Sequence, residues 1–212
     1  EFRRVLFRSS YTASANRATI AGGYNNTVSN AYGGIVAGYQ NTACYMAFVG
    51  AGRANVAAGN ASGVVAGCGN VASGLASFVG GGQNNCACVN NYTTIGGGLG
   101  NLSCGDVSTV SGGYSNSASG ARTFIGGGKS NTASGTNATI GGGIGNTASG
   151  ACSTIGGGCY STASGVYSTI AGGDTNVASG HSSIIAGGTL NLACNTRAAI
   201  LGGYCKIGRA HV

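Results

Sequence analysis

The nine cysteines are the most reactive side chains in this 212-residue chain. Cys44, Cys88, Cys104 and Cys194 share one position of a repeating pattern in which Ser mostly stands. Cys68 and Cys159 share another position, and Cys86, Cys152 and Cys205 fall elsewhere. Thiolate metal sites need clustered ligands, usually paired C-x-x-C spacings with Cys or His partners. No C-x-x-C pair is present, and His181 is the single histidine between Ser10 and Cys205. Neither a zinc site nor a cofactor is therefore expected. Cys88 and Cys104 occupy the same position on consecutive repeats, so a disulfide between them is conceivable. Stacked strands in register would hold both Cβ vectors parallel, and small semi-apolar filling is the alternative role.

Acid–base chemistry has little to draw on. Between Ser10 and Cys205 the carboxylates are Asp106 and Asp174. They lie several repeats apart, too far to share a substrate bond, and His181 is on a turn neighbouring Asp174 at best. No acid–base pair or nucleophile triad can be assembled from these residues, so no enzymatic activity is expected. Gly-rich runs such as Gly141-Gly142-Gly143 open no helix and carry no phosphate-loop lysine. Threonines could order water if they formed a flat array. Thr132, Thr147 and Thr162 line one position, and Thr139, Thr154 and Thr169 another. Val71, Leu102 and Leu192 interrupt the first, and Phe78, Phe124 and Ile184 the second.

The elements that carry these residues are set by a repeat. One copy runs Ala138-Thr139-Ile140-Gly141-Gly142-Gly143-Ile144-Gly145-Asn146-Thr147-Ala148-Ser149-Gly150. Thirteen copies place Ile or Val in one column, among them Ile125, Ile140, Ile155 and Ile170. The spacing is fifteen, except fourteen from Ile35 to Val49 and sixteen from Val79 to Ile95. Three residues later comes an invariant glycine, as at Gly128, Gly143, Gly158 and Gly173. Six residues after the Ile/Val comes Asn, as at Asn116, Asn131, Asn146 and Asn176, with Ser161 the one substitute before the terminal Lys206. Eight after it is mostly Ala, and ten after it is mostly Gly.

Each column has a physical meaning. Ile and Val favour a buried, pleated surface and form the structural core. The invariant glycines mark a backbone that needs positive φ or has no room for a Cβ. The plus-ten column accepts Gly or Asn, which points to left-handed geometry there too. Tyr45 and Val89 break it, in the short and the long repeat. The Asn column should form a ladder of amides, each bonded to the next.

Each repeat then holds two short strands, roughly S-T-I-G and N-T-A-S, joined by two Gly-bearing turns. A unit this small buries nothing alone, whereas stacked copies do. The expected fold is an all-β parallel solenoid, thirteen coils long and roughly 60 Å from end to end. Ile facing Ala makes a narrow core. The second strand's other columns, Thr/Val/Leu and Ser/Cys, are small and semi-apolar. One sheet is therefore expected to pack on another chain, with a homo-oligomer as the form.

The charge balance argues against nucleic acid and a membrane surface as partners. The formal charge of +7 comes largely from the two ends. Between Ser10 and Cys205 five basic and two acidic residues leave +3, too sparse for a footprint on nucleic acid or a membrane surface. With 44 glycines and no proline, periodic placement is what separates this chain from a disordered one. Residues 1–9 and 206–212 do not follow the repeat. The first nine translate a sequencing-adapter oligonucleotide, and Ile207 to Val212 translate the reverse complement of part of it. Both ends are expected to be adapter-derived, which makes 10–205 an internal fragment of a longer reading frame. A missing leader or membrane segment then carries no meaning.

The repeat S-T-I-G-G-G-x-x-N-T-A-S-G resembles the head repeats of trimeric autotransporter adhesins, the YadA-like or Hep/Hag repeat. The likeness covers about Ala18 to Tyr204. It implies a left-handed β-roll, three chains side by side, at the tip of a bacterial surface fibre that binds host, matrix or other cells. It also implies an outer-membrane anchor in parts of the protein missing from this chain. Two departures stand out: the family's period is usually one residue shorter, and its heads are poor in cysteine. An ice-binding solenoid and a structural rod of a phage or virus fibre are the alternatives.

Overall fold

The computed structural model describes residues 11–13, 15–88 and 90–208. Residues 1–9, where the N-terminal adapter segment is expected, lie outside the described residues, as does Val89. The chain winds as a parallel β-solenoid of thirteen coils with no helix among the described residues. Thirteen strands form a first sheet and fourteen a second. In the first, Thr139–Ile140 pairs in parallel with Thr154–Ile155. In the second, Thr147–Ala148 pairs with Thr162–Ala163. Ile207–Gly208 continues the second sheet beside Leu192–Ala193.

The strands are shorter than the sequence pattern implies, two residues in most coils. Left-handed backbone interrupts them. Each coil has three such positions, where the sequence points to two. Gly143 takes φ +94°, and so do its column mates within a narrow range. Two residues later the φ values are again positive, at Gly145 and Tyr160 for example. The third position is plus twelve, occupied by Arg122, Asn137, Cys152 and Tyr167. Between the first two, the column of Ile144, Cys159 and Asp174 pairs with itself from coil to coil. This third ladder is absent from the sequence reading, because only backbone atoms make it.

The plus-ten glycines differ from expectation. Gly135, Gly150 and Gly165 do not have left-handed φ. They are glycine because a Cβ on Gly150 would overlap the carbonyl oxygen of Gly165 in the next coil. Close stacking, not turn chirality, sets this column.

Four side chains per coil face inward. Ile140 and Ala148 are fully buried, and so are Ala138 and Asn146. The core is a single file of Ile or Val against Ala. Burying one Ile stabilises by roughly 1.5–3 kcal/mol, a small gain for a coil of this length, so each coil depends on its neighbours. Where Ser103 replaces the core Ala, its hydroxyl is 2.8 Å from that of Ser108 inside the same coil.

The column two before Ile/Val carries a test of buried hydroxyls. Ser77 Oγ donates to the Gly74 carbonyl at 2.8 Å, and Thr123 Oγ1 to that of Gly120 at 2.8 Å. The hydroxyls of Ser153, Ser168 and Ser183 have no partner. Ala138 and Ala198 fill the same column elsewhere, so the cavity fits a methyl group. Ser77→Ala should cost about 1 kcal/mol, while Ser168→Ala should be neutral or stabilising, because it removes an unpaired buried hydroxyl. Paired urea melts check this. Equal losses in both variants would mean that Ser168 also bonds to its plus-ten carbonyl, on Gly165.

The two corners tolerate length differently. From Ile/Val to Asn the count is six in every coil, including the short and the long ones. All variation lies on the return path, at Tyr45 in the short coil and around Asn90 in the long one. The fixed corner is stapled by Asn. Asn146 Nδ2 donates at 3.1 Å to Gly142 O in its own coil and at 2.9 Å to Gly158 O in the next. Among the described residues the other corner has only scattered side-chain bonds, such as those of Ser77 and Thr123.

Candidate functional site

The rod offers two flat faces and two rows of corners. On the first sheet, the outward columns are the residues just before and just after each Ile/Val. Thr139, Thr154 and Thr169 lie in the preceding column and are partly exposed. Phe48, Phe78, Phe124 and Ile184 share that column and are 46%, 41%, 41% and 49% exposed. Val36, Val65 and Leu201, exposed in the following column, extend the apolar surface. No Lys, Arg, Asp or Glu occupies either column from Thr19 to Leu201.

The second sheet's outer face is built alike. Thr132, Thr147 and Thr162 share one column with Val56, Val71, Leu102 and Leu192, and Ser or Cys, with Ala58 the exception, fills the other. It too is free of charge from Thr27 to Cys194. Its apolar side chains are smaller and less exposed than the Phe residues of the first face. A water-facing sheet of a single chain rarely leaves an apolar face of this extent open, so the first face is the stronger candidate for a contact surface.

Charge and aromatic rings collect at the corners. Arg53, Lys129 and Asp174 stand in the self-pairing column of the Asn corner. Arg17, Arg122 and Arg197 stand at the left-handed position of the other corner. Stacking brings them onto neighbours one coil away. Tyr24 and Tyr39 lie parallel with ring centroids 5.6 Å apart. Lys129 Nζ sits 5.6 Å from the centre of the Tyr114 ring, and the Arg17 guanidinium 5.3 Å from that of Tyr32. Arg122 Nε donates to Asn137 Oδ1 at 2.8 Å. Exposed Tyr and Arg of this kind are common contact residues.

The ladder residues are placed in the wall, not on the surface. Asn116, Asn131, Asn146 and Asn176 are fully buried. Their ladder differs from a stack of amides bonded to each other. The Oδ1 of Asn131 accepts the backbone N–H of Asn146 at 3.0 Å, and its Nδ2 donates to the carbonyls of Gly127 and Gly143. Amide-to-amide contacts of 3.1–3.2 Å accompany these only along the run from Asn70 to Asn131. The backbone wins because the Asn146 N–H relies on this oxygen, while Gly143 O takes the amide as a second donor beside the Lys129 N–H. Ile125, Ile140, Ile155 and Ile170 are fully buried, and Gly128, Gly143, Gly158 and Gly173 all have positive φ.

The chemistry-bearing residues stay dispersed, with one exception. His181 Nδ1 lies 2.9 Å from Ser182 Oγ, and its ring meets Tyr167 edge-on. Asp174 is on the opposite corner. No group of three metal-ligating side chains occurs among the described residues. The exception is sulfur: Cys88 and Cys104 are joined by a disulfide with Cα atoms 4.8 Å apart. Cys86 Sγ lies 3.7 Å from Cys88 Sγ. Burial pushes the Cys86 thiol pKa up. The C-A-C spacing of Cys86 and Cys88 is the signal for this cluster, since alternate residues of a strand share a face. The chain matches no known protein family profile and no curated protein.

Proposed function

We propose that this chain is a head segment of a trimeric fibre on a bacterial cell surface, and that it binds host, matrix or neighbouring cells without catalysing a reaction. The observation that carries this is the pair of long sheet faces without a single charge, one of them set with exposed Phe, Val and Ile. Side-by-side packing of three chains on the first sheet buries those residues. The rows of Tyr, Arg and Lys at the corners then stay outside, in many copies, where weak contacts add up to firm attachment. Three-fold order, left-handed winding and the outer-membrane anchor come from the likeness to adhesin head repeats.

Sedimentation of the full chain tests the assembly first, with a mass three times 20.3 kDa expected. Phe78→Glu puts a charge into the proposed contact and should weaken association at least tenfold, about 1.4 kcal/mol. Thr147→Glu, on the other face, should leave the mass unchanged. A monomeric parent, or equal sensitivity of both faces, overturns this arrangement. Attachment to cells or to matrix-coated surfaces should fall with trimer content; a chain that attaches to none of them is not an adhesin.

The stacked threonines favour a second reading, ice binding. Thr139, Thr154 and Thr169 form an unbroken run of three coils, ended by Phe124 and Ile184. Thermal hysteresis in the purified chain would support it, and its absence would eliminate it.

A further inference from the structure

We propose that Cys86, Cys88 and Cys104 form a thiol–disulfide exchange site on the outer face of the second sheet. Cys88 is the shared sulfur, and its bond alternates between Cys104 in the next coil and Cys86 on its own strand.

Three observations place the sulfurs for this. Cys88 and Cys104 are bonded across the ladder, with Cα atoms 4.8 Å apart. Cys86 carries a free thiol whose sulfur lies 3.7 Å from Cys88 Sγ, within reach of attack. Between them Ala87 points into the core, so Cys86 and Cys88 project from the same face. No other cysteine has such company: Cys44 and Cys194 stand in the same column as Cys88 but lie beside Ser29, Ala58 and Ser179.

The step balances without an outside oxidant or reductant. The Cys86 thiol loses its proton to solvent, and the thiolate attacks Cys88 Sγ. The Cys86–Cys88 bond forms as the Cys88–Cys104 bond breaks. The electron pair leaves on Cys104, which takes up a proton. One disulfide and one thiol are present before and after. Alternate Cα atoms of a strand are roughly 6.6 Å apart, near the upper end of what a disulfide spans, so the cross-coil bond is the major form. Exchange removes the covalent tie across the sixteen-residue coil and leaves Cys104 as the thiol open to soft electrophiles or external thiols.

Its rate is set by the Cys86 thiolate. On the adjoining strands Cys86 faces Val71 and Leu102, neither of which titrates, and the face carries no charge. Burial raises the thiol's pKa, so exchange is slow near neutrality and speeds up about tenfold from pH 7 to pH 8.

Digestion with chymotrypsin separates the two states. Cleavage after Phe78, Tyr92, Leu102 and Tyr114 puts Cys86 and Cys88 on one peptide, 79–92, and Cys104 on another, 103–114. The full chain is incubated at pH 8 at low concentration, pulsed with N-ethylmaleimide, digested and weighed. The expected result is two populations. The major one has peptides 79–92 and 103–114 cross-linked, with the label on Cys86. The minor one has an internal bond in 79–92 and the label on Cys104. In Cys86→Ser, label on Cys104 should drop at least tenfold; Ser117 in the same column shows that a hydroxyl fits there. Label confined to Cys86 in the parent chain at pH 8, however long the incubation, overturns the proposal. So does Cys104→Ser that forms no internal 79–92 bond after treatment with oxidised glutathione.

Discussion

Gly143→Ala lowers the stability of the rod by roughly 3–5 kcal/mol, combining a strained backbone with a forced overlap. The φ of +94° at Gly143 is one that an L side chain rarely adopts. A Cβ there would overlap the carbonyl oxygen of Gly158 and crowd its amide nitrogen, 2.9 Å away. Neither atom can yield, since both are backbone of the next coil and hold the ladder beyond. Its neighbour Gly142 is the control. A Cβ on Gly142 meets nothing within 4 Å, and Ala51 and Ala66 occupy the same column in other coils. Gly142→Ala should stay within about 0.5 kcal/mol of the parent. Thermal melts should separate the two variants by roughly 10 °C. Equal melting temperatures would mean that the coils slide apart at little cost, and that the stacking described above is not what holds them.

The second large effect is at Asn131. Asn131→Ala deprives the Asn146 N–H of its acceptor and the Gly127 and Gly143 carbonyls of their shared donor. Gly143 O keeps the Lys129 N–H, so two groups lose their partner, and at about 1–3 kcal/mol each a loss of roughly 2–5 kcal/mol is expected. Asn131→Asp keeps the acceptor but sets a carboxylate against two carbonyl oxygens. Its folded-state pKa is raised, so its stability is highest in acid and falls as pH rises through that pKa. The chain already contains a milder case. Ser161 holds the Asn position of its coil and accepts the Asn176 N–H at 3.2 Å, but its short side chain does not staple the corner. Ser161→Asn gives Gly157 O a donor and Gly173 O a second one beside the Cys159 N–H, and should stabilise by about 1–2 kcal/mol. Urea midpoints of the three variants check the series; a destabilised Ser161→Asn would show that this corner has closed around serine.

The inward columns could be read from sequence because burial restricts residue type. Ile/Val, Ala, Asn and the plus-three Gly each meet one environment in coil after coil, and repetition turns a weak preference into a column. The left-handed positions at plus five and plus twelve could not. Tyr167, Arg197, Val107 and Thr175 all adopt positive φ, yet none is buried, so nothing selects their type. Val107 and Thr175 are β-branched and bear the largest local strain of the set. The plus-ten glycines misled for a related reason. Gly is equally suited to a left-handed turn and to a close approach, and composition does not tell these apart. The Asn ladder was legible as a column but not in its bonding, since an amide can serve another amide or the backbone. The proposed contact face lies between these cases. Phe78, Phe124 and Ile184 register in sequence as breaks in a threonine row, and only the coil geometry joins them to Val36 and Val65 as one surface.

The unequal corners have a genetic consequence. Because the span from Ile/Val to Asn never changes, two coils anywhere along the gene can recombine in frame and yield a chain whose strands still align. Unequal crossing-over then adds or deletes whole coils, each lengthening or shortening the rod by one strand spacing. Small insertions survive only on the return path, as in the coils at Tyr45 and Asn90. The gene can thus vary the reach of its product in uniform steps while every joint is kept.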